Sequence, residues 1–180
     1  MSHYTIFTGI DGAGKTTVLK ELKKHFPDYL FTFEPNSEWY KNRVAKSNSP
    51  MEKALLFTAD RVRHLQSTVI PALNSNTNVI QDRGHYCNIA YQAAEMFQYD
   101  QGTLNLMIRY TGTIQPEIPK HRVVHFDCPA HVAYMRKTEF NPQFLQKVNE
   151  VYDAILPADA VKIDATRPVE EIVDELVKIL

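Results

Sequence analysis

The run Gly9-Ile10-Asp11-Gly12-Ala13-Gly14-Lys15-Thr16 has the spacing G-x-x-x-x-G-K-[ST], a pattern built to hold phosphate. Its glycines let the backbone turn so that successive N–H groups converge on phosphate oxygens. A helix opening at Lys15 adds its positive dipole end to the same anion. Lys15 then reaches the β- and γ-phosphates of a nucleoside triphosphate, and the Thr16 hydroxyl is placed to hold Mg²⁺. Gly9, Asp11, Gly12, Ala13, Gly14, Lys15, Thr16 and Thr17 are therefore the candidate ATP-binding residues, with Lys15 also a candidate catalytic group. The competing reading is a glycine-rich turn that binds nothing. A strand-like segment before the run and a helical pattern after it weigh against that reading. Asp82 ends a short apolar run and is the candidate acid behind the metal, while Asp127 ends another run in the same local setting.

These residues need a scaffold, and the chain alternates short apolar runs with helical patterns, the mark of an α/β domain with a mostly parallel sheet. Strands are expected at Tyr4 to Thr8, Leu30 to Phe33, Val79 to Asp82, Val123 to Asp127 and Val161 to Asp164. A helix begins near Lys15 with Val18, Leu19, Leu22 and Phe26 on one face, and Pro27 ends it. A long helix from Met51 to about Pro71 carries Leu55, Leu56, Ala59, Val62 and Leu65 at helical spacing. Further helices are expected over Ile89 to Phe97, Leu104 to Tyr110, from Pro129, over Phe144 to Ile155, and from Pro168 with Ile172, Val173, Leu176 and Leu180 inward. No repeat or Gly/Ser linker divides the 180 residues, so one domain over 1–180 is expected.

Net charge is −1, so a polyanion must be held by a local arrangement of donors, and no general attraction to nucleic acid or anionic lipid is expected. Cys87 and Cys128 lie far apart and indicate neither a disulfide framework nor a metal site. The N-terminal residues lack the pattern of a signal peptide, and no apolar run has membrane-spanning length, so a soluble cytoplasmic chain is expected.

Three ordered blocks carry a resemblance. Phe7 to Thr17 is similar to the P-loop of the thymidylate kinases, whose pattern includes the middle Asp. Leu56-Phe57-Thr58-Ala59-Asp60-Arg61-Val62-Arg63-His64 resembles that family's second block, and Asp82-Arg83 with Ala90-Tyr91-Gln92 resembles the third. Phe126-Asp127-Cys128-Pro129 and Ile163-Asp164-Ala165 are similar to its remaining landmarks. The resemblance implies a three-layer α/β/α P-loop nucleoside monophosphate kinase fold with a central parallel sheet. It also implies transfer of the ATP γ-phosphoryl group to dTMP with Mg²⁺, and a homodimer.

Residue by residue, the resemblance sets Asp11 against the acceptor's sugar and phosphate, Phe57 on the thymine ring, and Arg61 on its carbonyl edge. Arg83 would grip the acceptor phosphate, where a guanidinium fork matches the oxygens. Tyr91 would crowd the 2′ position, Gln92 would share the pocket, and Glu34 joins the acceptor residues. A short lid around 134–144 would bring the last cation, with Arg136 and Lys137 as candidates. On pattern alone, Phe57 also reads as a core residue, Arg61 and Arg63 as a solvated helix face, and Arg136 with Lys137 as exposed charges at a helix end.

A monophosphate acceptor brings its own oxyanion and needs no general base. Its difficulty is repulsion, on the order of 4 kcal/mol per charge pair at about 4 Å in a partly shielded site. Asp11, Lys15, Arg83 and Arg136 are the candidate catalytic set. The chain departs from the family at Thr8, where Glu is usual, and at Phe33, Asn36 and Ser37 around Glu34-Pro35. It departs again at Gly84 and Cys87, where Tyr and Ser are usual. Glu34-Pro35 with Trp39 also resembles a segment of the deoxynucleoside kinases, in which the Glu is base to a sugar hydroxyl. A nucleoside kinase using Glu34 is thus one alternative, and a regulatory protein that binds nucleotide without turnover is another.

Overall fold

The computed structural model describes residues 2–96, 102, 105, 106, 109 and 117–180. The helix expected over Leu104 to Tyr110 falls largely outside them, as does Phe97.

Among the described residues five strands form one sheet: β1 (Tyr4–Gly9), β2 (Leu30–Phe33), β3 (Val79–Asp82), β4 (Arg122–Asp127) and β5 (Val161–Asp164). They lie in the order β2-β3-β1-β4-β5, and every neighbouring pair is parallel. All six residues of β1 are buried, as expected of a central parallel strand covered on both faces. The helices are α1 (Lys15–His25), α2 (Glu38–Lys46), α3 (Pro50–His64), α4 (Ile70–Asn74), α5 (His85–Glu95), α6 (Ala130–Arg136), α7 (Pro142–Ile155) and α8 (Val169–Ile179). One layer pairs α1 with α8; on the other side α5 packs between α3 and α7. No helix among the described residues is long and apolar enough to cross a membrane.

The parallel register brings the strand ends to one edge. Phe7 pairs with Asp82, Phe33 with Asp82, Gly9 with Phe126, and Asp127 with Asp164. Strand order reverses at β1, with β3 on one side and β4 on the other, and such a switch point opens a crevice beyond the strand ends. Beneath it the core joins Phe7, Ile10, Val18, Leu22, Phe126, Leu145, Tyr152, Ile163 and Leu176, all at most 1% exposed. Each such side chain contributes about 1.5–3 kcal/mol of burial.

Three helices differ from expectation. The long helix does not stop near Pro71; it runs through a π turn at Leu65–Val69 and on to Asn74. A proline ring crowds the carbonyl four residues earlier, and here that carbonyl belongs to Ser67, inside the widened turn. Nor does α3 bury its apolar stripe. Leu55 and Ala59 face outward, while Ala54, Asp60, Arg61 and His64 are buried. Helix α5 starts at His85, four residues before the apolar pattern begins at Ile89. Helix α2 was not legible from periodicity, because none of its residues is fully buried. At the C-terminus Ile172, Val173 and Leu176 are buried as expected, with Leu180 only half-buried.

Candidate active site

The loop between β1 and α1 turns at Gly12 and Gly14, whose φ angles of 84° and 88° lie in the left-handed region. Gly12 is constrained in space as well. A Cβ there would lie 2.2 Å from the Ala133 carbonyl oxygen on α6. Lys15 is buried and donates from Nζ to the carbonyls of Gly9 and Ile10, both at 2.8 Å. Burial lowers its pKa, against the pull of Asp82. The loop lines a cavity of about 510 Å³ that also takes in Asp82, Arg136 and Arg167. Arg136 is held there by an Nη1 bond of 2.8 Å to the Ala165 carbonyl.

Thr16 Oγ1 donates to Asp82 Oδ2 at 3.4 Å, and Asp82 Oδ1 is buried with no partner. Burial raises the Asp82 pKa, with Lys15 and the Thr16 bond opposing. An orphaned carboxylate oxygen beside a hydroxyl fits a hard cation such as Mg²⁺. No group of three or more His, Cys, Asp or Glu side chains suited to a metal occurs among the described residues. Asp127, the other strand-end acid, is exposed and lines neither cavity.

A second cavity, about 760 Å³, lies between α2, α3 and α5. Glu34, Phe57, Arg61, Arg83, Tyr91 and Gln92 all line it. Phe57 is only half-buried and stands at this wall rather than in the core. Arg61 is 3% exposed, so it is not part of a solvated face, whereas Arg63 is exposed. Arg61 Nε donates to Glu34 Oε2 at 3.0 Å, and Gln81 Nε2 donates to Glu34 Oε1 at 2.9 Å. Each oxygen of Glu34 thus accepts one hydrogen bond. Tyr4 Oη extends the network by donating to Gln81 Oε1 at 2.6 Å, and burial raises the pKa of that phenol.

Asp60, fully buried, accepts the backbone N–H groups of Asn36 and Ser37 at 2.6 and 3.2 Å and so pins the segment after Glu34. That segment contains the cis Glu34–Pro35 peptide. Asp60 escaped the sequence reading, although it stands beside Arg61 in the second block. Asn88 escaped it too. It lines the cavity one helical turn before Gln92, and its Oδ1, Gln92 Oε1 and Arg61 Nη1 are buried without partners. Buried polar atoms left unpaired cost about 1–3 kcal/mol each, so three together point to a polar ligand that completes them.

The two cavities share one wall, made by Asp11, Arg83 and Lys137. Arg83 leaves β3 in the left-handed region at φ 69°, its N–H bonded to the Phe7 carbonyl at 2.9 Å. Its Nη2 pairs with Asp11 Oδ1, and its guanidinium lies 5.6 Å from the Tyr91 ring. A non-glycine residue in this conformation costs about 1–2 kcal/mol, strain of the kind found at functional sites. Tyr91 Oη accepts the Asp11 N–H at 2.7 Å, and burial drives the phenol pKa upward, keeping it protonated. Lys137 Nζ lies 3.7 Å from Asp11 Oδ2 and 2.6 Å from Glu139.

The expected lid segment comprises the end of α6, residues 137–141 and the start of α7. Its Phe140 and Phe144 stack at 5.1 Å and both meet Tyr91 edge-on, forming a wall of the second cavity. Of its two cations, Arg136 lines the first cavity alone, while Lys137 stands where both meet. Sequence spacing could not rank them, because consecutive residues at a helix end point in different directions.

The profile described as thymidylate kinase matches residues 7–176. A probable thymidylate kinase of Halorubrum lacusprofundi is 31% identical, the match covering 96% of this chain and 94% of the relative. One from Halobacterium salinarum is 33% identical over 92% and 88%, and the thymidylate kinase of Leptospira interrogans is 28% identical over 98% and 92%.

Proposed function

Because this chain belongs to the thymidylate kinase family, we propose that it transfers the γ-phosphoryl group of ATP to dTMP, giving ADP and dTDP. The observation that carries the reading is the pair of cavities meeting at Asp11, Arg83 and Lys137, a phosphate loop in one and a planar-ring wall in the other. Two anionic substrates placed so would bring their phosphates together at the shared wall.

In the donor cavity the loop amides, Lys15 and Arg136 hold the triphosphate. Thr16 and Asp82 would hold Mg²⁺, which when bound neutralises charge on the β- and γ-oxygens. In the acceptor cavity Phe57 stacks on the base. Arg61 Nη1, a donor, and Asn88 Oδ1, an acceptor, match a carbonyl beside a ring N–H, as on the thymine edge. Tyr91 stands at the 2′ side of the sugar. Arg83 grips the acceptor phosphate and offsets its repulsion from the γ-phosphoryl group, while Lys137 offsets charge from the other side.

A phosphate oxygen attacks directly, so no base is needed. The family match favours the monophosphate kinase over the nucleoside-kinase alternative, and Glu34, tied to Arg61 and Gln81, acts as a positioning group. We place the enzyme in the cytoplasm, as a homodimer. An outward stripe of Met51, Leu55 and Ala59 on α3 is the apolar surface that supports self-association.

The test is ADP release by the purified protein with dTMP, dUMP, dCMP, dGMP or thymidine as acceptor. The proposal expects dTMP to give the highest kcat/KM. Turnover of thymidine but not dTMP, or ATP binding without turnover of any acceptor, would refute it.

A further inference from the structure

Five cations line the acceptor cavity, and four of them pair with acids of the same wall: Arg61 with Glu34, Lys53 with Glu95, Lys137 with Glu139 and Arg83 with Asp11. Those four are the only acids among the described residues of that wall. The fifth cation, Lys41 on α2, pairs instead with Glu38 at 2.7 Å, an acid outside the cavity whose side chain is 78% exposed. An exposed pair of this spacing binds weakly and yields to a stronger anion. A second contact places the ammonium. Lys41 Nζ lies 4.8 Å from the centroid of the Phe33 ring. Phe33 ends β2 with its Cα in register with that of Asp82, and the next N–H, of Glu34, donates to the Asp82 carbonyl at 3.0 Å. The ring therefore stands beside Asp82-Arg83, at the end of the cavity where the phosphates of the two substrates meet. An aromatic face attracts an ammonium without taking up any of its three N–H donors. Arg43, two residues further along α2, pairs with Glu52 at 2.8 Å and lines neither cavity.

We infer that Lys41 binds the phosphate of the acceptor, exchanging Glu38 for a phosphate oxygen while the Phe33 ring keeps the ammonium within reach. The inference rests on the acceptor assignment made above. Phe33 is a positioning residue and touches no substrate. With Arg83 and Lys137, Lys41 makes a third cation against a dianionic group. Its removal therefore weakens binding of the monophosphate and leaves binding of the phosphate-free nucleoside unchanged. Neither Phe33 nor Lys41 belongs to the buried core, so variants at both positions keep the fold.

Turnover of dTMP is measured first on the unsubstituted full chain. Dissociation constants for dTMP and for thymidine are then measured by calorimetry on that chain and on each variant. Lys41→Gln weakens dTMP binding about tenfold and leaves thymidine binding unchanged. Lys41→Arg, which keeps the charge and the ring contact, stays within about twofold of the unsubstituted chain for both ligands. Phe33→Leu weakens dTMP binding about threefold. Combined with Lys41→Gln it adds nothing further, because the ring acts only through Lys41. Arg43→Gln changes neither constant. If Lys41→Gln leaves dTMP binding intact, weakens dTMP and thymidine alike, or is matched by Arg43→Gln, Lys41 does not hold the phosphate and the kinase stands. If the unsubstituted chain does not turn over dTMP, the acceptor assignment fails before any variant is made, and this inference falls with it.

Discussion

His125 carries a pH dependence that the structure lets one calculate. Its ring is 3% exposed, its Nδ1 lies 3.0 Å from Thr8 Oγ1, and its centroid is 4.9 Å from that of Tyr152. Burial lowers its pKa from 6.5 to about 4, with Lys162 and Lys15 adding repulsion and Asp153 opposing. The folded pKa lies below the unfolded one, so the unfolded chain takes up the proton first as pH falls. The stabilisation is complete above pH 6.5 and is lost as pH drops toward 4. Full loss amounts to about 3 kcal/mol, of which about 2 kcal/mol has gone by pH 5. The perturbation is His125→Asn, which keeps a polar partner for Thr8 and cannot titrate. Urea unfolding of both proteins at pH 7 and pH 5, followed by circular dichroism, gives four free energies. The loss between the two pH values should be smaller in the variant by about 2 kcal/mol. The depressed pKa of His85 acts in the same direction in both proteins and cancels from the difference. Equal losses in the two proteins would refute the assignment of that proton to His125.

Three further outcomes are expected. Arg83→Ala lowers kcat/KM for dTMP by about 3 kcal/mol of transition-state stabilisation while ATP affinity, measured by calorimetry, stays near normal; a loss confined to ATP affinity would contradict the role. Glu34→Gln leaves the Arg61 charge uncompensated in a buried site, so urea unfolding shows a loss of about 3 kcal/mol, and KM for dTMP rises. Gly12→Ala must push its Cβ against the Ala133 carbonyl at a positive φ, so ATP binding weakens at least tenfold and the melting temperature falls; an unchanged protein would show that α6 moves aside at little cost.

How much of this was legible follows from which residues report on themselves. The strands β2, β3 and β5 lie where the apolar runs predict them, because β3 buries Val79 and Ile80 and even the two edge strands pack Leu30, Phe31, Val161 and Ile163 onto the core. The phosphate loop was legible because glycine spacing is a backbone requirement. Helix α3 misled, because its buried face carries Asp60, Arg61 and His64, polar groups bonded to partners far away in sequence. His64 Nε2 meets Thr32 Oγ1 at 2.7 Å, a contact across 32 positions that no periodicity encodes. Helix α2 left no inward apolar face to read, since Trp39 is exposed and none of its residues is fully buried. Lys137 was visible as a charge, but its place at the shared wall depends on where α6 ends. Asn88 and Gln81 reveal themselves only through the atoms they leave open or fill.

Helix α2 has a consequence for how the acceptor site can change. Its nine residues put no side chain fully inside the protein, and a helix this short is marginal by itself in water. What secures it is the anchoring of Asn36 and Ser37 by Asp60 and its packing on α3. Yet Lys41, Val44 and Ala45 form part of the acceptor wall. Replacing them alters what the wall touches without taking anything from the core. New acceptor preferences can therefore accumulate along this helix at almost no risk to folding.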